Sequence, residues 1–223
     1  MPAQIFATQI DARNRLDEIG FTVEELLEVV SAAVAARNSC TENNPSSAPG
    51  WYAWSEGSRR LREIALPKDG WLRDESNGVP SIVHLERGIK IAVCNTDDGT
   101  CLIGNGRLPQ NRTKKGSATD RIANENQALL FPDEEIPTFR PIGRSHVRTV
   151  PGGTFYLCIF HERDDVRAEL SAPCAMDGGF FAAFSERIFL TSPDGDWMDW
   201  ANNGPDNDAV DSDEFDIPVI RKK

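Results

Sequence analysis

The chain lacks a long apolar run. Its longest apolar stretch, Val29 to Ala36, spans eight residues and is broken by Ser31, whereas a bilayer helix needs roughly 20; no membrane contact is expected. Met1 to Ile10 carries no basic side chain and no sustained apolar segment, so a secretory leader is not expected either. The five cysteines (Cys40, Cys94, Cys101, Cys158 and Cys174) are odd in number and form no C-x-x-C pair. That pattern reads as reduced structural thiols in a soluble cytoplasmic protein.

Catalytic signatures are equally scarce. Histidine occurs three times, as His84, His146 and His161, without H-x-x-x-H or H-E-x-x-H spacing, so a local zinc site is not expected. Cys158 and His161 are three apart on one expected strand and face opposite sides, which disfavours a nucleophile–base pair. No G-x-S-x-G elbow is present. Gly104-Asn105-Gly106 runs into Arg107-Leu108-Pro109 and breaks the dinucleotide-binding pattern, and the Walker A order is missing. No cofactor is expected on these grounds.

What is present fits one sizeable domain. The chain has 223 residues, 39% of them hydrophobic, enough for a core without metals or disulfides. The spacing predicts helices over Gln4–Glu18, from Val23 on behind a Thr22/Glu25 capping box, over Trp54–Ala65 and over Ala118–Leu130. Strands are expected at Pro80–Leu85 and Ile89–Asn95, joined at Glu86-Arg87-Gly88, at Thr154–His161 and Val166–Ala172, and at Arg187–Thr191. Helices first and hairpin-linked strands later predict an α+β fold, with N-terminal helices packed on a mostly antiparallel sheet. The domain is expected to occupy 1–193, helical over about 1–70 and sheet-forming over about 78–193. Residues 194–223 read as an acidic, largely disordered tail.

Charge sharpens that division. The net charge is −11, and beyond Pro193 nine acids face three bases, so the tail holds −6 and the rest of the chain −5. Within the domain, Gly104 to Arg121 is locally +4. Arg107, Arg112, Lys114, Lys115 and Ser117, just before an expected helix N-terminus, form a candidate site for phosphate or nucleic-acid backbone. The acidic residues Asp97, Asp98 and Glu169 form a second candidate, a catalytic set for a metal-dependent nuclease or phosphoesterase in which Asp97 and Glu169 would hold Mg²⁺. The D…E-x-K spacing common in such enzymes is missing, since Leu170 and Ser171 follow Glu169. On the expected strand, Arg167, Glu169 and Ser171 share the face opposite Val166, Ala168 and Leu170, which also suits an ordinary ion pair on a polar face. In the tail, Trp197, Trp200, Phe215, Ile217 and Val219 are apolar anchors of the kind that dock onto a protein partner. The leading expectation is therefore a non-catalytic subunit or adaptor of a bacterial multi-protein assembly, with the acidic tail as a docking arm and nucleic acid as a further ligand class through the 104–121 loop. The metal-dependent nuclease or phosphoesterase is the alternative.

Overall fold

A computed structural model describes residues 3–104, 106–130 and 153–193. The chain opens with a short strand, β1 (Gln4–Phe6), followed by helices α1 (Gln9–Ile19), α2 (Val23–Asn38) and α3 (Ala48–Ala65). Strands β2 (Trp71–Asp74), β3 (Ser81–His84) and β4 (Ile89–Asn95) come next. Helix α4 (Ser117–Leu130) precedes β5 (Gly153–Glu162), β6 (Asp165–Asp177) and β7 (Phe180–Phe189).

The α+β architecture matches the sequence expectation, with four helices and a seven-stranded mixed sheet among the described residues. Strand order is β1-β7-β6-β5-β4-β3-β2. Four of the six pairings are antiparallel; β1/β7 and β4/β5 are parallel. A parallel pair needs a crossover, and the β4–β5 connection contains α4. Helices α1 to α3 cover one face of the sheet, where Leu16, Leu26, Val30 and Leu61 bury against Ile91, Leu157, Leu170 and Ile188. Ile122 of α4 packs on the other face, with Tyr156, Phe181 and Phe184. No helix among the described residues is long and apolar enough to cross a membrane.

Local chemistry explains the boundaries, including those the sequence reading placed elsewhere. Gln4–Phe6 is an edge strand, not the start of a helix, because Thr8 caps α1: its hydroxyl accepts from the Asp11 N–H. Gly20 ends α1 in the left-handed region at φ 102°, a conformation glycine adopts without a Cβ penalty. Thr22 and Glu25 close the expected capping box reciprocally. Helix α3 begins at Ala48, one full turn and more before the expected Trp54, because Pro49 sits in its first turn, where a missing N–H costs nothing. The strand expected at Arg187–Thr191 is instead Phe180–Phe189, and β2 was not anticipated.

The tail residues Trp197, Trp200, Phe215, Ile217 and Val219, together with His146, lie outside the described residues.

Candidate functional site

Glu169 sits on β6, between β7 and β5, on the face opposite the N-terminal helices. It is fully buried, and Arg187 on the neighbouring strand is 2% exposed. Ladder pairing sets Ser171 opposite Arg187 and Glu169 opposite Phe189, so the charged pair is diagonal. Oε1 of Glu169 accepts from Ser171 Oγ at 2.7 Å and Arg187 Nε at 2.8 Å; Oε2 accepts from Arg187 Nη2 and the Cys101 backbone N–H, both at 2.6 Å. A carboxylate offers about four lone-pair positions, and all are taken.

The other groups on this face hold the same loop. Arg187 Nη1 donates to the Leu102 carbonyl at 2.9 Å. Arg167, 6% exposed, donates to the carbonyls of Asp98 (2.8 Å) and Thr100 (3.1 Å) and lies over the Phe160 ring. Three charged side chains from β6 and β7 thus bind the backbone of 98–102. Cys101 is held there at φ 60°, a conformation costly for a residue with a Cβ. Its Sγ donates to the Ala168 carbonyl at 3.1 Å. Burial and the Glu169 charge push the Cys101 thiol up. Cys158 is raised for the same first reason, and both are therefore poor nucleophiles. Burial works against the Arg187 charge, yet the hydrogen bonds and charge of Glu169 outweigh it and hold the guanidinium above its ordinary range.

Asp97 and Asp98 have other tasks. Asp97 Oδ1 accepts from the N–H groups of Gly99 (3.1 Å) and Gln110 (2.9 Å), closing the loop on itself. Asp98 pairs with Arg107. The structure thus places the three candidate carboxylates in separate hydrogen-bond sets. Among the described residues, no group of three or more His, Cys, Asp or Glu side chains is arranged to hold a metal ion.

The basic loop also divides. Arg107 is committed to Asp98, Lys114 runs along Gly179, and Ser117 is the first residue of α4. Arg112 and Lys115 instead face a cleft of about 550 Å³ between the end of α2, the start of α3 and the segment after β4. Arg37, Asn95, Trp51 and Trp54 complete its wall. The sequence reading missed these four; they come from three different elements, and only Arg37, in the last turn of α2, carries a charge that could have flagged it.

No protein-family model, no curated protein and no solved structure matches the chain.

Proposed function

We propose that the protein is a non-catalytic subunit or adaptor of a bacterial multi-protein assembly, working in the cytoplasm through protein–protein contacts, with the acidic segment 194–223 as its docking arm. The observation that carries this reading is the saturation of Glu169. The carboxylate best placed by sequence to act as a metal ligand gives all its acceptor capacity to Ser171, Cys101 and Arg187. A buried, fully partnered ion pair fixes a loop; it has no lone pair to lend to a cation. The anchors Trp197, Trp200, Phe215, Ile217 and Val219, set among nine acids, suit a partner surface that is basic with apolar pockets.

The test is affinity capture with the full chain and with a chain ending at Pro193, followed by reconstitution from purified components. The reading predicts a direct partner bound by the full chain and lost, or weakened about tenfold or more, on truncation. Equal binding by both forms removes the docking role of the arm.

The metal-dependent nuclease or phosphoesterase is the second reading, and the cationic cleft is what favours it. It needs Asp97, Asp98 and Glu169 to leave their present partners.

A further inference from the structure

We infer that the cleft between α2, α3 and the 111–115 segment is a binding site for a nucleoside phosphate, with the phosphate held by Arg37 and Arg112 at the N-terminus of α3 and the base stacked on Trp51.

The electrostatics come first. Arg37, Arg112 and Lys115 line the cleft and no carboxylate does. Among the described residues none of the three forms an ion pair; the Arg37 side chain makes no hydrogen bond, whereas the Arg112 Nε donates to the Thr96 carbonyl at 2.9 Å. Burial and the Arg112 charge both act against the Arg37 guanidinium, with Cys40 and Glu162 offsetting them only at a distance. Two guanidiniums that repel each other across one cleft, in a chain of net charge −11, would both be stabilised by an anion between them. Planar, multidonor guanidiniums match phosphate oxygens in bidentate fashion.

The backbone adds to this. Helix α3 opens at the cleft, where Ser46, Ser47, Pro49 and Gly50 contribute to the wall. Its N-cap residue Ser47 makes no side-chain cap hydrogen bond; the Ala48 N–H donates to the Pro45 carbonyl and Pro49 has no N–H, so the helix start contributes the positive end of its dipole rather than a row of free donors. The orientation is fixed: Asn95 Nδ2, at the end of β4, donates to the Gly50 carbonyl at 2.7 Å, and Arg112 N–H donates to the Asn95 carbonyl at 3.0 Å. The cationic segment and the helix start are therefore held to the same strand end.

A second and independent sign lies in the adjoining void, which shares Arg37, Asn95 and Arg112 with the cleft and is also lined by His161. His161 is 7% exposed, and its Nδ1 is buried without a hydrogen-bond partner. A buried polar atom normally finds one; because Nε2–H donates to the Arg163 carbonyl at 2.9 Å, Nδ1 is an acceptor, so this edge of the site suits a ligand hydroxyl rather than the phosphate.

The ligand's other half is indicated by Trp51, which is 57% exposed at the rim beside Trp54. An indole held open next to phosphate-binding groups is a stacking surface for a base. The cleft volume falls within the usual range for small-ligand sites, about 300–1,000 Å³.

This inference goes beyond the adaptor reading, and either can fail without the other. Isothermal titration of the full chain with AMP, adenosine and inorganic phosphate tests it. AMP should bind, with phosphate and adenosine each weaker by about tenfold or more, since one stacked base is worth roughly 1–3 kcal/mol. Arg37→Gln and Trp51→Ala, both at exposed or half-exposed positions outside the core, should keep the wild-type melting temperature and lower AMP affinity by about tenfold each. Absence of AMP binding, or wild-type affinity in Arg37→Gln, overturns the site. Equal affinity for AMP and phosphate overturns the base-stacking half. Binding of a single-stranded oligonucleotide about tenfold or more tighter than AMP overturns the mononucleotide assignment in favour of a nucleic-acid groove.

Discussion

At the residue scale, the Glu169–Arg187 pair is the feature with the largest consequences. Removing one member strands a buried charge, which typically costs about 3–5 kcal/mol, while replacing both with apolar groups of similar volume is often neutral. Glu169→Leu and Arg187→Met are accordingly expected to destabilise strongly as single changes. The double variant should recover much of the loss, with urea denaturation as the readout. Additive losses would mean that the pair does not act as a unit. A milder effect belongs to Asp74. Burial works to raise its pKa, but hydrogen bonds from Lys90 and Ser76 outweigh that and bring it to about 2. Its folded value is thus below the unfolded value of about 3.9. The linked stability is present above about pH 4 and drains away as pH falls toward 2. Asp74→Asn should flatten the drop in melting temperature between pH 4 and pH 2; an unchanged drop would exclude Asp74 as a source.

At the element scale, the loops between β4 and β5 are fastened by two buried asparagines. Asn111 Nδ2 donates to the carbonyls of Thr113 (2.8 Å) and Gly179 (2.9 Å), and its Oδ1 accepts from the Phe181 N–H. Asn126 on α4 bonds in the same three-fold way to Thr154, through both N–H and carbonyl, and to the Pro173 carbonyl. Truncation leaves buried backbone groups unpaired, about 1–3 kcal/mol each. Asn111→Ala should raise amide hydrogen exchange in 97–112 and at the β6–β7 turn while leaving α2 protected. Uniform exchange across the molecule would contradict this local fastening role. The elements themselves were largely readable, since Thr22 with Glu25 and the apolar stripe of α2 are local signals. The pairing of Glu169 with Arg187 was not. Counting back from the Gly178-Gly179 turn, where Asp177 faces Phe180, places Arg187 opposite Leu170 on the helix-covered face. Register shifts between Ala172 and Met176 move the ladder by one residue and set Arg187 opposite Ser171 instead. A one-residue slip exchanges faces, and nothing local announces it. Likewise, alternation showed that Glu169, Arg167 and Ser171 share a face, but not that a loop nearly 70 residues earlier covers that face.

At the scale of the whole molecule, the charge is unevenly spread. The acidic excess is concentrated beyond Pro193, while Arg37, Arg112 and Lys115 from distant segments converge on one cleft. The basic loop was visible as a composition feature; its division into a paired half (Arg107 with Asp98) and an open half (Arg112, Lys115) depends on the tertiary path. Both features are what the proposed binding role draws on. The most direct measurement of that claim is a cleavage assay of the purified full chain on DNA, RNA and nucleotides with increasing Mg²⁺. The account predicts no metal-dependent turnover of any of them. Turnover that requires Mg²⁺ and disappears in Asp97→Asn or Asp98→Asn variants that remain folded would contradict it.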